Sequence, residues 1–244
     1  MKTLNIPLLS KRFLSFSIIF ITSALTVFGD GVKSDAPPAL EVYKGRIIAH
    51  TMHWEGAGWL LRKEREREES TQLMIQKLGL KSGQVACDLG SGNGYHTLMM
   101  AEIVGGKGKV LAVDIQKEML TMLEKRAVEL GVGNVMTIHG ELHDPKLPEN
   151  TLDLVLIVDA YHEFSHPEHM LQAIRKSLKP TGRLVLVEFR LEDPKVPIKL
   201  LHKMSKKQVM KELLPNGFKL VHEFDGLPWQ HMMFFERTAI PIEK

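Results

Sequence analysis

A short loop rich in glycine, at residues 88–94, carries the clearest chemical signal in this sequence of 244 residues. It reads Asp-Leu-Gly-Ser-Gly-Asn-Gly and lies between an apolar run and a segment with helical periodicity. Glycines permit positive φ angles and close approach of the backbone to a ligand, and the N–H groups of such a loop can point at a polar ligand near the start of the helix. The loop therefore predicts a ligand-binding turn.

A second acidic residue extends this pattern. Asp114 ends the next apolar run, 20 residues beyond Gly94, and at that spacing a carboxylate can accept hydrogen bonds from both hydroxyls of a ribose. A dinucleotide fits this far, but Tyr95 stands where a nicotinamide-binding loop has its third glycine. Asp88 would repel a pyrophosphate and attract an ammonium group. These residues predict an adenosine that carries an amino acid.

The elements that must position these residues follow from the apolar runs. Short runs that are apolar throughout indicate strands buried on both faces, and helices between them imply a parallel sheet with right-handed crossovers. The predicted strands are residues 85–89, 110–115, 135–139, 152–159, 183–189, 219–224 and 230–237. The predicted helices are residues 62–78, 95–104, 117–130, 167–178 and 206–214. The fold class is therefore α/β, a doubly wound sheet of seven mostly parallel strands whose last strand is antiparallel, with helices on both faces.

The motifs resemble those of a known family. Residues 88–94 look like motif I of class I S-adenosylmethionine-dependent methyltransferases, and residues 110–115 resemble the second motif. Similarity to the ubiquinone/menaquinone-biosynthesis type continues in residues 139–142, 147–155 and 178–184. The resemblance implies a Rossmann-like fold, S-adenosylmethionine as cofactor, and methyl transfer to a small-molecule acceptor by in-line displacement.

The resemblance also implies roles for individual residues. It assigns cofactor binding to Asp88, Gly90, Ser91, Gly92, Gly94, Asp114, Ile115, Glu141, Leu142 and Asp159. Within this set Asp114 would bind the ribose and Ile115 would cover one face of the adenine. Glu141 would bond the adenine amino group, at a position where the family more often has Asp.

The loop after residues 152–159 supplies the candidate catalytic residues. In class I enzymes this loop lies beside the cofactor, so the resemblance places Tyr161, His162 and Glu163 near the transferable methyl group. We hypothesise that His162 is a general base oriented by Glu163. The alternative is that they only shape the pocket, because positioning alone can supply about 7–11 kcal/mol.

Residues 162–166 also match the zinc motif H-E-x-x-H, which needs both histidines on one face of a helix. Pro167 directly follows His166 and disfavours helical geometry there. We therefore expect a loop and no metal at this motif. A secreted zinc hydrolase that uses His162, Glu163 and His166 is retained as one alternative, and a noncatalytic S-adenosylmethionine-binding module as another.

Residues 1–29 have the features of a targeting segment. Lys11 and Arg12 precede an uncharged run of about 16 apolar residues, which is typical of a signal peptide and close to a short anchor. Residues 30–61 are then a linker and cap segment, and 62–244 the methyltransferase domain. We expect an exported, periplasmic protein, or membrane association through this segment, unless Met52 is the true start and the protein is cytoplasmic.

Composition restricts the partners. Residues 1–29 hold three bases and no acid, so the remaining chain has 29 bases and 29 acids. A balanced surface argues against nonspecific binding of nucleic acid and favours a small molecule. The single cysteine, Cys87, lies in an apolar run and is predicted to be buried.

Two features before the glycine loop have more local interpretations. The charged run at residues 62–69 places Arg65 and Glu69 four residues apart, which is typical of a solvated helix face. Trp54 and Trp59 could form a lid over the substrate. Alternatively, Trp59 could pack the following helix on the sheet.

Overall fold

The computed structural model describes residues 36–239. These residues belong to one compact unit. The predicted signal peptide or anchor, residues 1–29, lies outside the described residues. Among residues 36–239, no helix combines the length and the apolar character that crossing a membrane requires.

Nine strands and six α-helices make up the described chain. The strands are β1 (Val42–Tyr43), β2 (Arg46–Ile47), β3 (Val85–Leu89), β4 (Lys109–Asp114), β5 (Val135–His139), β6 (Leu152–Val158), β7 (Leu178–Phe189), β8 (Phe218–Phe224) and β9 (Gln230–Arg237). The α-helices are α1 (Arg65–Glu69), α2 (Thr71–Lys77), α3 (Tyr95–Val104), α4 (Lys117–Glu129), α5 (Pro167–Ser177) and α6 (Lys206–Leu213). Short 3₁₀ helices lie at Trp54–Leu61, Tyr161–Glu163, Leu200–His202 and Leu214–Asn216.

Seven of the strands form one sheet, in the order β5-β4-β3-β6-β7-β9-β8. Strands β3 to β7 are parallel, and β9 runs antiparallel to both of its neighbours. The predicted fold class is confirmed. The remaining two strands, β1 and β2, form a separate antiparallel hairpin.

Alternation along each strand sends side chains into a core on either face of the sheet. In β6, Val155 and Ile157 join one buried cluster while Leu154 and Leu156 join the other. This two-sided burial explains why the strands are apolar throughout. Cys87 is fully buried in the first cluster, as predicted.

The predicted helix at residues 62–78 is wrong in one respect. It is broken at Ser70, whose φ of 48° separates α1 from α2. The predicted solvated face is also wrong for two residues, because Arg65 and Glu69 are 4% and 1% exposed. Glu69 forms ion pairs with both Arg62 and Arg65. The charged residues of α1 therefore include a buried, ion-paired set.

The predicted turn at residues 179–182 is instead part of β7. Leu178 pairs with Leu152, and the register between β6 and β7 then shifts before Arg183 pairs with Leu154. The turn sequence therefore forms an irregularity within a longer strand.

The chain order creates a topological switch point between β3 and β6. From β3 the chain continues to β4 and β5 on one side, whereas β6 and β7 lie on the other. Ligands of open α/β sheets bind at such a crevice, outside the carboxyl ends of the strands. The loops that follow β3, β4 and β6 meet there.

The glycine at the start of α3 gives a test of this packing. Gly94 has a φ of 82°, and a Cβ there would lie 2.5 Å from Cγ of Leu123. Gly131 also has a positive φ, of 66°, but its Cβ would meet nothing within 4 Å. We expect Gly131→Ala to lower the free energy of unfolding by about 1 kcal/mol through strain alone, and Gly94→Ala by about 2–4 kcal/mol because overpacking is added. Urea denaturation would measure both values, and equal losses would contradict the predicted contact.

Candidate functional site

A cavity of about 640 Å³ opens at this edge of the sheet. Most of the residues predicted for the site line it: Gly90, Gly92, Asp114, Ile115, Glu141, Leu142, Asp159, His162 and Glu163. Four others do not form its walls: Asp88, Ser91, Gly94 and Tyr161. The structure thus brings the two predicted groups, cofactor-binding and catalytic, to one cavity.

The glycine loop contributes a surface without side chains. Gly90 has a φ of 80°, and a Cβ there would lie 2.7 Å from the Cβ of Ala160. The loops after β3 and β6 therefore touch at Gly90, and only glycine permits both the angle and the contact.

The sequence predicted that N–H groups of this loop point at a ligand, but three of them bond to the protein instead. Those of Gly90 and Ser91 both donate to the carbonyl oxygen of Val113, at 2.9 and 3.0 Å. The N–H of Gly92 donates to Oδ2 of Asp114 at 2.8 Å. Because these three donors bond within the protein, they cannot cradle a phosphate.

Asp114 is held rigidly at the end of β4. Its Oδ2 accepts the hydrogen bond from Gly92, and its Oδ1 accepts one from the backbone N–H of Gln116 at 2.9 Å. Burial raises the pKa of Asp114, and the backbone hydrogen bonds oppose that effect. A fixed carboxylate with remaining lone pairs can accept from two neighbouring hydroxyls.

Asp88 lies behind the glycine loop. It is 2% exposed, and its Oδ2 accepts a hydrogen bond from the hydroxyl of Thr97 at 2.5 Å. Burial raises the pKa of Asp88 from 3.8 to about 6, although Thr97 and the charge of Arg65 favour ionisation. Its charge can act on a ligand through the loop, whereas the predicted direct contact is not provided by the cavity wall.

Asp159 offers an unpaired carboxylate oxygen to the same cavity. Its Oδ2 accepts from Nε2 of Gln230 at 2.6 Å, while its Oδ1 is buried and has no hydrogen-bond partner within residues 36–239. Burial, followed by the charges of Glu69 and Glu188, raises the pKa of Asp159, and Arg65 opposes this. Buried polar atoms are rarely left unpaired. A cationic ligand group beside Asp159 would satisfy this oxygen.

The predicted adenine residues lie at the rim. Glu141 is 48% exposed at its side chain, and its carboxylate is 2.6 Å from Nζ of Lys146. This hydrogen bond lowers the pKa of Glu141. The carboxylate is bonded by Lys146 and also lines the cavity, and its bond to the adenine amino group stays a prediction. Ile115 and Leu142 line the cavity as apolar surface.

Tyr161 lies in the core. It is fully buried, its ring packs edge-on against Phe164, and the guanidinium carbon of Arg46 lies 5.8 Å from its ring centroid. Tyr161 is therefore not part of the cavity wall, unlike the other two predicted catalytic residues. Within this 3₁₀ turn, His162 and Glu163 line the cavity and Tyr161 does not.

His162 is oriented by a residue that the sequence analysis missed. Its Nδ1 lies 2.7 Å from Oε2 of Glu188, whose side chain is fully buried near the end of β7. Burial lowers the pKa of His162, but Glu188 outweighs this and raises it. Glu188, and not Glu163, therefore holds the imidazole. The isolated acid within the apolar run at residues 184–189 was the available signal.

The other nitrogen of His162 faces two more polar groups. Nε2 lies 3.0 Å from Nδ1 of His202 and 3.8 Å from Oε1 of Glu163. The same oxygen of Glu163 lies 3.7 Å from Nδ1 of His202. Burial raises the pKa of Glu163 to about 7. His202 belongs to a short 3₁₀ turn 40 residues further along the chain, and no sequence pattern marked it.

The H-E-x-x-H motif does not pair its two histidines. His166 has non-helical backbone angles, φ of −129° and ψ of 57°, immediately before α5. Its ring nitrogens lie 2.8 Å from the carbonyl oxygen of Pro37 and 2.9 Å from Oγ of Ser165. The predicted absence of helical geometry is confirmed, and the zinc hydrolase that depends on this pair loses its structural basis.

The cap segment, residues 36–61, covers part of the cavity. Trp59 and Leu60 line it, and Trp59 is 43% exposed beneath the guanidinium of Arg62. The exposure of Trp59 argues against a role in packing the following helix on the sheet. Its place in the cavity wall agrees with the lid interpretation, whereas Trp54 does not line the cavity. Gln116 fixes the segment, accepting from the N–H of Trp54 and donating to the carbonyl of Met52.

The family profile described as "Methyltransferase domain" matches residues 80–235, more than half of the chain. The chain belongs to the methyltransferase domain family. The resemblance stated from the motifs is thereby confirmed at the level of the family. The matched region includes the glycine loop, Asp114, and the loop that carries His162.

Curated relatives cover part of this methyltransferase domain. The ubiquinone/menaquinone biosynthesis C-methyltransferase UbiE of Ectopseudomonas mendocina (strain ymp) is 34% identical over 116 residues, which are 47% of this chain and 45% of that protein. UbiE of Escherichia fergusonii is 34% identical over 112 residues, 46% of this chain and 45% of that protein. This chain thus spans less than half the length of these relatives.

Solved structures share the fold. A SAM-dependent methyltransferase from Aquifex aeolicus has a TM-score of 0.73 at 23% identity, covering 77% of this chain and all of that one. The [4+2]-cyclase SpnF has a TM-score of 0.59 at 16% identity, covering 69% of this chain and 80% of that one. These similarities concern the fold alone and do not identify the chemistry.

Removing the charge of the buried Asp88 is expected to raise the free energy of unfolding at neutral pH. Because the pKa of Asp88 is raised from 3.8 to about 6, the folded state favours the protonated carboxyl. This preference contributes fully to the free energy of unfolding below pH 4, and the contribution is lost as the pH rises through 6. Asp88→Asn should match the wild type in free energy of unfolding near pH 4 and exceed it by about 3 kcal/mol above pH 7. Urea denaturation across this range would measure the difference, and a constant difference would contradict the assignment.

Proposed function

We propose that this methyltransferase domain binds S-adenosylmethionine in the cavity and transfers its methyl group to a small-molecule acceptor. The observation that carries the proposal is the presence of two carboxylates at the ends of β4 and β6, the two strands that flank β3. Asp114 is fixed by two backbone donors, and Asp159 has one buried oxygen without a partner among the described residues. Both face the same cavity.

The residues fit this cofactor better than they fit a dinucleotide. Asp114 would accept from the ribose hydroxyls, and Asp159 would lie beside the ammonium group. Three N–H groups of the glycine loop bond inside the protein, so a pyrophosphate would lack their support. Acidic groups around the loop favour a cation over an anion.

When bound, S-adenosylmethionine supplies a methyl carbon on a sulfonium sulfur, and S-adenosylhomocysteine leaves as the bond to the acceptor forms. The chain's own contribution is positioning and exclusion of water. Trp59 and Leu60 cover the cavity from the cap segment. Holding the reactants in line can supply about 7–11 kcal/mol, so the base role of His162 stays an optional addition.

The acceptor end of the cavity is largely apolar. Its walls include Phe164, Met170, Phe189, Pro197 and Ile198. An acceptor with an apolar body and a polar reacting atom would match these walls and the histidines beside them. The relatives named as ubiquinone/menaquinone biosynthesis C-methyltransferases support a small molecule.

Loss of Asp114 tests the cofactor assignment. Asp114→Ala should weaken binding of S-adenosylhomocysteine about 100-fold or more, because each hydrogen bond to a charged group contributes about 1.5–3 kcal/mol. Isothermal titration calorimetry would measure the affinity. Asp225→Asn is the matched control, since Asp225 is exposed and pairs with Lys206 outside the cavity.

Unchanged affinity in Asp114→Ala would refute this site. Release of S-adenosylhomocysteine in the presence of candidate acceptors would separate an enzyme from a noncatalytic binder.

We also propose export or membrane anchoring through residues 1–29, because a basic start is followed by an uncharged apolar run. Fractionation of expressing cells with N-terminal sequencing of the product would test it. A mature protein that begins near residue 30 in the periplasm is expected of a cleaved signal. Recovery of an intact protein in the cytosol would contradict both export and anchoring.

A further inference from the structure

Three side chains beside the acceptor end of the cavity converge on one point. His162, Glu163 and His202 each offer a ligand atom, and these atoms all lie within 4.8 Å of one another. All three residues line the cavity. We propose that they form a binding site for a divalent transition metal ion of the zinc type, with an open coordination position toward the acceptor.

The spacing of the three atoms fits a metal ion. The separations are 3.0 Å between the two nitrogens, and 3.8 and 3.7 Å from these nitrogens to Oε1 of Glu163. A point in the plane of this triangle lies about 2 Å from all three atoms, which is the distance at which zinc binds imidazole nitrogen and carboxylate oxygen. Coordination therefore requires little movement of the side chains.

Glu188 gives His162 the environment of a metal ligand. It accepts a hydrogen bond from Nδ1 of His162, at 2.7 Å, and so leaves the lone pair of Nε2 directed at the cluster. Metal-binding histidines commonly have their other ring nitrogen bound to a carboxylate in this manner. Glu188 is fully buried and bonds the backbone N–H of His162 as well. The orientation of the ring is thus fixed before any ion arrives.

The donor set indicates the class of ion. Two imidazoles and one carboxylate suit zinc and related transition metals, whereas calcium and magnesium prefer oxygen ligands alone. Three protein ligands with an open position are typical of catalytic sites, and closed structural sites use four. The side chain of His162 is 2% exposed, while that of His202 is 33% exposed. The accessible side of the site therefore faces the cavity.

The site has a consequence for the acceptor, which rests on the proposed methyl transfer. A bound metal ion stabilises the deprotonated form of a ligand that coordinates it. An acceptor with a hydroxyl or thiol group would coordinate through that atom, release its proton to solvent water, and present the oxygen or sulfur as an anion beside the methyl group. With Nδ1 on Glu188 and Nε2 on the ion, His162 would then be a ligand and not a base. The predicted substrate class is therefore a small molecule with an apolar body and an ionisable oxygen or sulfur.

Metal titration tests the site directly. The untagged full chain would be treated with EDTA, dialysed, and titrated with Zn²⁺ in a calorimeter. We expect one equivalent to bind, with affinity lowered about 100-fold or more in His202→Gln and Glu163→Gln. Glu188→Gln should lower it about 10- to 100-fold, as expected for a residue that supports a ligand.

His166→Gln is the matched control, because His166 belongs to the same motif but bonds Pro37 and Ser165. It should retain wild-type affinity, and thermal melting would verify that each variant is folded. Co²⁺ in place of Zn²⁺ should give visible absorption bands of a site with four or five ligands, absent in His202→Gln. Failure of the wild type to bind, or equal binding in His202→Gln, would overturn the proposal and leave a hydrogen bond between the two histidines.

Binding of S-adenosylhomocysteine separates this proposal from the proposed function. His202→Gln should retain affinity for that nucleoside while losing zinc, and Asp114→Ala should show the reverse. A chain that binds zinc at this cluster but ignores the nucleoside would refute the cofactor and keep the metal site. Binding of the nucleoside without zinc would refute the metal site alone.

Discussion

The charge of the cavity depends on one buried guanidinium. Arg65 is 4% exposed, forms an ion pair with Glu69, and also acts on Asp88 and Asp159. Burial of charged groups is tolerated when they are paired. Arg65 and Arg62 both form ion pairs with Glu69, so Asp88 and Asp159 have no ion pair of their own among the described residues. The proposed attraction for a cationic ligand depends on these two buried acids.

The sheet could be predicted from the sequence because its strands are buried on both faces, and each therefore appears as a short apolar run between turns. The helix at residues 62–78 was harder to predict, because its charged residues have the spacing of a solvated face. That Arg65 and Glu69 point inward depends on the break at Ser70 and on the packing of Arg65 against the ring of Tyr95. Tertiary structure decided the environment of residues whose local pattern was ambiguous.

The same distinction applies to the site. The residues of the glycine loop and Asp114 at the end of β4 could be predicted, because a recognisable motif lies directly at the end of a predicted strand. Glu188 and His202 could not be found in the same way, because they reach His162 from a neighbouring strand and from a distant loop. Fold likeness does not supply such pairs either, since a cyclase and a methyltransferase share this architecture. The chemistry of the site depends on side chains that are distant in sequence and are brought together by the fold.

The hairpin of β1 and β2 bears on where translation of a functional polypeptide can begin. Arg46, on β2, donates to the carbonyl of His162 and, through two nitrogens, to the carboxylate of Glu212, whose side chain is fully buried. A product initiated at Met52 would lack this arginine and would leave Glu212 without its cation. An internal start codon at that position would therefore yield a destabilised domain in which the loop that carries His162 is less firmly held.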